Sequence, residues 1–399
     1  MPFTKLGLST PLLNAIEKVG YDKPTTIQTK AIPIILNGDN LLAAAQTGTG
    51  KTASFVLPIL EKLSRGETQR KKRARALILT PTRELAQQVH QSIETYGQEL
   101  SLKSMAMYGG VDYAPQKQAL IEGVDIVVAT PGRLLDLYGQ HAIHLDEVEC
   151  LVLDEADKML DMGFIEAINK IIARVPENAQ TLLFSATLSN PVRELARSAI
   201  DNPSEISIAK HSASKGNIKQ WIVTVDKDIK SSLLSHLLTE NSWSQALIFI
   251  ETKHGAAKLV SQLEKRGIAA EAFHSGRNQK VRQKLIEDFK AGDIQYLVST
   301  GVAARGIDIE NLPIVINYDL PFPADEYVHR IGRTGRAEAA GEALSLVSRD
   351  NFKNLCMIES RLGHLLERVE IEGFEPRHPV PVSILNYVPK HKRNNDDNR

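Results

Sequence analysis

The alternation of short β-rich apolar runs with longer helical patterns constrains the fold of this chain more than any other feature. The helical segments carry apolar residues four apart, as at Val281, Leu285 and Phe289. Such alternation is typical of parallel α/β architecture. The predicted strands are Leu41–Ala45, Leu77–Thr80, Ser104–Met107, Ile126–Ala129, Leu151–Asp154, Leu182–Ser185, Ile206–Ile208, Trp221–Val225, Ala246–Ile250, Ala270–Phe273, Tyr296–Ser299, Val315–Asn317 and Ala343–Val347.

The length of 399 residues exceeds one ordinary core and favours two domains of roughly 200 residues each. The stretch from His211 to Gly216 is small, polar and glycine-terminated, which predicts a linker. The charged end from Lys390 to Arg399 is predicted to be disordered. The predicted segments are 1–29 as part of the first domain, 30–209 as its main body, 210–216 as the linker, 217–368 as the second domain and 369–399 as a C-terminal extension.

Composition narrows the functional classes. Lys+Arg and Asp+Glu both number 48, so nucleic-acid binding would need basic charge gathered on one face. The basic cluster from Arg70 to Arg75 is predicted to be a solvated loop, with RNA contact as the alternative. Cys150 and Cys356 are the only cysteines, and Cys150 opens an apolar run, which predicts a core thiol and no disulfide framework. Without a secretory pattern or a long apolar run, we expect a cytoplasmic protein without membrane association.

A glycine-rich segment follows the first predicted strand and opens a helical pattern. Its residues are Ala45, Gln46, Thr47, Gly48, Thr49, Gly50, Lys51 and Thr52. Glycines let backbone N–H groups surround phosphate oxygens, and the helix N-terminus adds positive charge. Lys51 would reach the β and γ phosphates, and the Thr52 hydroxyl would ligate Mg²⁺. The generic pattern begins with glycine instead of Ala45, but the strand–loop–helix context favours a nucleotide cradle over an ordinary turn.

An acidic cluster ends the strand predicted at Leu151–Asp154. Asp154 is placed to hold Mg²⁺ through water, and Glu155 to orient and deprotonate an attacking water. Such a cluster alone would more often be a helix cap. Together with the phosphate loop in the same domain, it predicts hydrolysis of a nucleoside triphosphate.

The second half has no glycine–lysine loop but carries a run of arginines from His329 to Arg336. Arg333 and Arg336, three residues apart, could converge on one polyanion and stabilise charge on the γ-phosphoryl oxygens. A solvated basic helix end is the alternative. If these arginines complete the site, cleavage requires the two domains to close.

These segments resemble the DEAD-box RNA helicase family, whose name is spelled out by Asp154, Glu155, Ala156 and Asp157. The likeness runs from about Phe3 to about Val347, and within the family it is strongest to the bacterial RhlE-type group. The resemblance implies two RecA-like domains and an ATP-dependent RNA helicase. It implies that Phe3 stacks on adenine, that Gln28 hydrogen-bonds the adenine edge and that Asp308 reaches the ribose. Tyr21 and Lys23 belong to the same adenine-reading motif. From the residues alone, Phe3 would be a core anchor and Gln28 a polar residue at a helix start.

The resemblance also implies RNA contacts and a relay of the nucleotide state. The implied RNA-contacting residues are Pro81, Thr82, Arg83, Gly109, Gly110, Thr130, Pro131, Gly132, Arg133, Gly276, Gln279, Arg282 and Thr300, and the implied coupling residues are Asp157, Ser185, Ala186, Thr187 and His329. The first-domain RNA segments each follow a strand, where parallel sheets present ligand sites. Amides, hydroxyls and arginines there suit phosphate and 2′-OH contacts, whereas ordinary helix caps are the alternative. One departure is Gly301, where the family usually has Asp, so a carboxylate that could orient its neighbours is lost.

The predicted activity is RNA-stimulated ATP hydrolysis, with Mg²⁺, that closes two domains on single-stranded RNA and unwinds short duplexes locally, without sequence preference. Candidate partners besides RNA are ribosomal or RNA-decay proteins, and the chain is expected to be a monomer. An ATP-gated RNA clamp with little turnover is one alternative. A P-loop enzyme acting on a small molecule is the other.

Overall fold

The computed structural model describes residues 2–45, 48–66, 71–208, 218–304, 307, 309, 311–335 and 340–385. The chain forms two compact units, Met1–Ser212 and Ala213–Arg399. The boundary between them falls within the predicted linker 210–216, which lies outside the described residues, as does the charged tail. Four predicted site residues also lie outside them and stay predictions: Gln46, Thr47, Asp308 and Arg336.

The first unit is built on a seven-stranded sheet in which every neighbouring pair is parallel. Its strands are β1 (Leu41–Ala44), β2 (Ala76–Leu79), β3 (Ser104–Met107), β4 (Ile126–Ala129), β5 (Cys150–Leu153), β6 (Gln180–Ser185) and β7 (Ser204–Ser207). They are arranged in the order β3-β4-β2-β5-β6-β1-β7.

Helices cover both faces of this sheet. They are α1 (Thr10–Lys18), α2 (Thr26–Leu36), α3 (Lys51–Ser64), α4 (Arg83–Gly97), α5 (Ala114–Glu122), α6 (Pro131–Gly139), α7 (Ala156–Asp161), α8 (Ile165–Ile172) and α9 (Asn190–Ala199). Ile78 of β2 packs into one core cluster, whereas its neighbours Leu77 and Leu79 pack into another. A strand that is buried on both faces has a continuous run of apolar residues, so these strands could be predicted from the sequence.

The second unit is built in the same way. Its strands are β8 (Ile218–Thr224), β9 (Ala246–Ile250), β10 (Glu271–Phe273), β11 (Tyr296–Thr300), β12 (Ile314–Asn317), β13 (Gly341–Val347) and β14 (Glu367–Val369), and its helices are α10 (Lys230–Asn241), α11 (Lys253–Glu264), α12 (Gln279–Ala291), α13 (Gly301–Ala304), α14 (Ala324–Ile331) and α15 (Phe352–Leu362). The order β10-β11-β9-β12-β13-β8-β14 is again parallel throughout. Numbered within each unit, both sheets therefore run 3-4-2-5-6-1-7.

The predicted fold class of two parallel α/β domains is confirmed, and every predicted strand overlaps an observed one. The sequence missed β14, a three-residue strand that pairs with β8. Cys150 is a buried free thiol, as expected, and Cys356 is also buried and free. In the described part of the chain, no helix is long and apolar enough to cross a membrane.

The basic cluster before β2 differs from its predicted form. Arg73 pairs with Asp146, and Arg75, which is 7% exposed, pairs with Glu149 at 2.6 Å. The expectation of a solvated loop is therefore wrong for Arg75, whose guanidinium also donates to the Leu63 carbonyl and holds the start of β2 in place.

Candidate functional site

Strand order places the predicted site residues of the first unit along one edge of its sheet. Because all strands are parallel, the loops that follow them share the carboxyl edge. After β3, β4 and β2 come the segments at 109–110, 130–133 and 81–83, which are the predicted RNA contacts. After β5, β6 and β1 come the acidic cluster, the segment at 185–187 and the phosphate loop. The sheet therefore divides this edge into two halves, with the acidic cluster next to the boundary.

The phosphate loop is held in a conformation that favours glycine. Gly48 and Gly50 have φ values of 77° and 88°, and α3 begins at Lys51. The Ala45 N–H donates to the Ser185 carbonyl at 3.0 Å, which fixes the start of the loop against β6. Positive φ is costly for other residues, so the loop needs glycine at both positions.

The burial of the Lys51 ammonium indicates that this loop binds an anion. Lys51 is 7% exposed, and no described residue accepts a hydrogen bond from its ammonium. A buried ammonium without a hydrogen-bond acceptor is unfavourable, so the site is suited to a ligand that supplies phosphate oxygens. The residues at the loop therefore fit a nucleoside triphosphate.

The acidic cluster follows β5 directly. Asp154 is 2% exposed, and its Oδ1 accepts a hydrogen bond from the Glu155 N–H at 2.9 Å. Burial raises the pKa of Asp154 to about 6, while the positive charge of Lys51 acts to lower it. Glu155 is 6% exposed and has a left-handed backbone with φ of 52°. A non-glycine residue in that region is a common feature of functional sites, because the surroundings must enforce it.

The oxygen donors at this site fit a magnesium ion bound together with a nucleotide. Thr52 is the second residue of α3, beside the phosphate loop, and Asp154 directly follows β5, so the donors are a hydroxyl and a carboxylate. The described residues contain no group of three or more His, Cys, Asp or Glu side chains that could form a protein cage. Mg²⁺ commonly takes one or two protein oxygens and completes its shell with phosphates and water.

Gln28 connects the start of α2 to the phosphate loop. Its Oε1 accepts from the Thr25 N–H at 2.9 Å in a capping box, and its Nε2 donates to the Gly50 carbonyl at 3.2 Å. A Cβ at Gly50 would lie 2.5 Å from that Nε2, so glycine is also needed for this approach. The structure thus brings Gln28 to the nucleotide cradle, and its contact with the adenine edge stays a prediction.

The other residues predicted to contact adenine differ in accessibility. Phe3 is 5% exposed and belongs to the core of the first unit. This position agrees with the alternative interpretation of Phe3 as a core anchor. Tyr21 is 42% exposed, and its ring centroid lies 6.5 Å from that of Tyr96. Lys23 is exposed. Stacking of Phe3 on adenine stays a prediction, since it would need the ring to become accessible.

Asp157 joins the acidic cluster to the segment after β6. Its Oδ2 accepts hydrogen bonds from the N–H groups of Ala186 and Thr187, both at 3.1 Å, and from the Thr187 hydroxyl at 3.3 Å. Ser185 closes the turn, because its hydroxyl donates to the Thr187 carbonyl at 2.7 Å. These four predicted coupling residues therefore form one hydrogen-bonded group. His329, the fifth, lies on α14 of the second unit.

The half of this edge that carries the predicted RNA contacts contains two arginines around a glycine turn. A Cβ at Gly110 would lie 2.0 Å from Arg83 Nη1, so the Arg83 guanidinium lies directly on the turn. Arg133 Nη2 donates to the Val111 carbonyl at 3.2 Å, and its buried Nη1 has no partner among the described residues. Thr82 caps α4 by accepting from the Leu85 N–H at 3.2 Å. Such groups suit phosphate oxygens more than base edges.

The remaining first-unit residues of this set lie at the start of α6. Thr130 is its N-cap residue, Pro131 is its first residue, and Gly132 is exposed with open space around it. Gly132 therefore leaves room for a ligand backbone at this helix start.

In the second unit, the predicted RNA residues lie after β10 and β11. The Gly276 N–H donates to His274 Nδ1 at 3.2 Å, and Thr300 ends β11. Gln279 and Arg282 are only 5% and 7% exposed, and the Arg282 guanidinium lies 4.9 Å from the centroid of the Phe273 ring. Their burial leaves little surface for direct RNA contact, which remains a prediction.

Sequence reasoning missed a group of basic residues around His274. Burial lowers the pKa of His274, and the nearby cations act in the same direction; those not predicted as site residues are Arg277, Lys253 and His254. Because the chain has no net charge, an RNA-binding surface would need basic residues concentrated on one face, and this group concentrates them at one edge of the sheet. Their positions in the sequence, after the two different strands β9 and β10, gave no signal before the sheet order was known.

The arginines of the second unit lie on and after α14. Arg333 is 8% exposed, and its Nη1 donates to the Ile307 carbonyl. Arg330, which sequence reasoning did not select, donates from Nη1 to the Asp319 carbonyl at 2.9 Å and to Asn317 Oδ1 at 3.3 Å. The Arg330 guanidinium is therefore built into the carboxyl edge of the second sheet, whereas Arg333 is held by Ile307 and Leu312 in the segment before β12.

Lys158 was also missed. Its Nζ lies 2.8 Å from Glu155 Oε2, and both side chains are buried. The two residues are three apart at the start of α7, a spacing that places side chains on one helix face. The candidate water-activating carboxylate is therefore ion-paired within its own unit.

Comparison with known proteins gives two family matches. Residues 25–195 match the DEAD/DEAH box helicase family, and residues 229–338 match the helicase conserved C-terminal domain. The ATP-dependent RNA helicase DbpA of Bacillus subtilis is 39% identical over 398 residues, which is 99% of this chain and 82% of that protein. RNA helicase CrhR of Synechocystis is 40% identical over 92% of this chain and 73% of its own length.

Solved structures give the same result. Saccharomyces cerevisiae Dbp5 bound to RNA and ADP BeF3 is similar to this chain with a TM-score of 0.82 and 32% identity, over 92% of this chain and 95% of that one. A DEAD box protein from Methanococcus jannaschii has a TM-score of 0.53 and 40% identity, over 92% and 99%.

Replacing Lys51 with Ala tests the phosphate loop. We expect ATP turnover to fall by about a hundredfold or more, because a buried cation that faces the phosphates is removed. Turnover by steady-state phosphate release and ATP affinity by fluorescent-nucleotide titration measure the effect. Lys62→Ala removes a lysine from the same helix, where it contacts Gln180, and should change neither quantity. Near-normal turnover of Lys51→Ala would exclude the proposed role.

Replacing Glu155 with Gln tests water activation. Gln keeps the size of the side chain but cannot accept the proton of the attacking water, so ATP and RNA should stay bound in a long-lived complex. Dissociation of labelled RNA after addition of competitor measures the lifetime. Glu149→Gln, just before β5 at the opposite end of that strand, is the matched control. Rapid release from Glu155→Gln would contradict the assignment.

Proposed function

The chain belongs to the DEAD-box family of ATP-dependent RNA helicases, and from that membership we propose that ATP and RNA together close its two units into one hydrolytic site. The family hydrolyses ATP and acts on RNA, and this chain is an enzyme of that kind. The finer proposal concerns how its own residues perform the reaction. The observation that carries it is the buried Lys51 ammonium, with no described partner, beside the acidic cluster of the first unit.

The division of the candidate catalytic groups between the two units supports a mechanism in which closure switches ATP hydrolysis on. The first unit holds the phosphate loop, Asp154 and Glu155, whereas the arginines belong to the second. In this proposal the nucleotide binds the first unit alone, and Arg333 and Arg336 stabilise the γ-phosphoryl charge only after closure. A ligand shifts such an equilibrium by its differential affinity for the closed state.

The nucleotide itself would be held by residues with distinct tasks. Lys51 and the loop amides bind the phosphates, Glu155 orients and deprotonates water, and Gln28 accounts for ATP over GTP. Thr52 and Asp154 would hold Mg²⁺, which supplies neutralisation of the developing phosphate charge. The Asp157 group would transmit the nucleotide state toward the RNA half of the same edge.

The RNA contacts support backbone recognition. Arg83, Arg133 and the backbone at the half-buried Gly109 and the exposed Gly110 offer groups for phosphates and 2′-OH groups. Contacts of this kind carry no sequence information, so we infer action on single strands and short duplexes of any sequence. Bending the gripped strand would remove a few base pairs locally, without processive movement.

Membership of the RhlE-type group, a monomeric state, a cytoplasmic location and partners among ribosomal or RNA-decay proteins remain parts of this proposal. One alternative function keeps a specific observation in its favour. Gly301 lacks the carboxylate that the family has there, which favours an ATP-gated RNA clamp with little turnover.

Phosphate release with and without RNA separates the helicase from the clamp. We expect single-stranded RNA to raise the turnover number about tenfold or more, because RNA stabilises the closed state in which the arginines act. The measurement compares RNA with DNA of the same sequence, and DNA should stimulate less. No RNA-dependent increase would rule out the helicase mechanism in favour of the clamp. Phosphoryl transfer to a metabolite instead of water would indicate the small-molecule enzyme.

A further inference from the structure

We propose that Glu326 on α14 supplies a negative charge beside Arg330. Residue 301 of this chain is a glycine and cannot provide that charge. Glu326 is thereby a positioning residue for the hydrolysis reaction, and the inference rests on the proposed function for its activity readout. Its geometric basis lies entirely within the second unit.

Arg330 holds together the ends of three neighbouring strands. Its Nη1 contacts Asn317 and Asp319 at the end of β12, and its guanidinium carbon lies 4.7 Å from the centroid of the Phe249 ring on β9. Its Nη2 faces Gly301, the first residue after β11. Since the sheet order is β11-β9-β12, the Arg330 side chain contacts the carboxyl ends of three adjacent strands, next to Thr300 and α14.

The guanidinium is buried and needs a negative charge nearby. Arg330 is 6% exposed, and its Nε lies 3.9 Å from Oε1 of Glu326, which is itself 9% exposed. The two residues are four apart on α14, with the acid toward the N-terminus, the favourable orientation for a helical ion pair. Breaking a buried ion pair by removing one partner is destabilising, so removing Glu326 should change how Arg330 is held.

The space around Gly301 shows why residues 301 and 326 are alternative positions for a carboxylate beside Arg330. A Cβ at residue 301 would lie 3.1 Å from Arg330 Nη2 and 3.2 Å from Glu326 Oε1. A carboxylate on residue 301 would therefore reach the same guanidinium that Glu326 serves. Gly301 has no positive φ that would require glycine, so the backbone there accepts a side chain. Glu326 occupies part of the space that the side chain of residue 301 would need.

This arrangement predicts that an aspartate at 301 and a glutamate at 326 substitute for each other. Glu326→Ala should lower the RNA-stimulated turnover number about tenfold, with the KM for ATP within about twofold, because coupled neighbours typically contribute on that scale. Adding Gly301→Asp to that variant should restore most of the loss. In the unchanged chain, Gly301→Asp should instead lower turnover, since two carboxylates would compete for one guanidinium.

Two controls separate charge from packing. Glu326→Ala with Gly301→Ala adds bulk without charge and should not restore turnover. Asp325→Asn removes a carboxylate from the first turn of the same helix, where it pairs with Arg361 and not with Arg330, and should leave turnover unchanged. Glu326→Gln keeps the shape of the side chain and should behave like Glu326→Ala.

The melting temperature of the full-length chain provides a second readout that does not depend on ATP hydrolysis. Glu326→Ala should lower it by about 2–4 °C, and Gly301→Asp should reverse that change only in the Glu326→Ala background. If Gly301→Asp has the same effect on turnover and melting in both backgrounds, the inference is overturned. If the unchanged chain shows no RNA-stimulated turnover, the proposed function fails, and the melting temperatures alone decide whether Glu326 and residue 301 are interchangeable.

Discussion

The parallel pairing of β5, β6 and β1 is the constraint on which the nucleotide site depends. It sets Asp154, Ser185 and Ala45 at the same edge of one sheet, and the hydrogen bond from the Ala45 N–H to the Ser185 carbonyl joins two of these loops directly. The glycines then turn the chain so that Lys51 is buried near Asp154. No single loop contains this chemistry, because the edge assembles it from three segments that are far apart in the sequence.

The second sheet repeats the strand order of the first, but its chemistry is different. Its first strand, β8, leads into α10 without a phosphate loop, whereas the helix after its fifth strand carries His329 and Arg330. In the proposed mechanism, the arginines of the second unit cannot cleave ATP alone, and the first unit alone cannot fully stabilise the charge that cleavage creates. We propose that this division makes hydrolysis conditional on closure of the two units, and that RNA, which would contact both units, is the condition for closure.

Much of the architecture was predictable because buried parallel strands are apolar on both faces, as Leu77, Ile78 and Leu79 illustrate. The short edge strand β14 was missed, since three half-exposed residues give no periodic signal. Motif spacing identified the phosphate loop and acidic cluster, but not the Lys158–Glu155 ion pair or the contacts of Arg330. The contacts of Arg330 depend on where helix α14 packs, which local sequence does not encode, whereas the Lys158–Glu155 pair joins residues only three apart, a spacing that motif matching did not test. Burial of Gln279 and Arg282 likewise became visible only in the folded unit.

The central claim is that one catalytic centre is completed by guanidinium groups from the second unit, and Arg336→Ala tests it most directly. The measurement is single-turnover ATP cleavage with saturating RNA, alongside the ATP dissociation constant without RNA. The account predicts that cleavage slows by about a thousandfold while the dissociation constant stays within about twofold, and that Arg349→Ala, an exposed arginine of the same unit, changes neither. A loss of ATP affinity as large as the loss of rate would contradict it, because Arg336 would then bind the ground state.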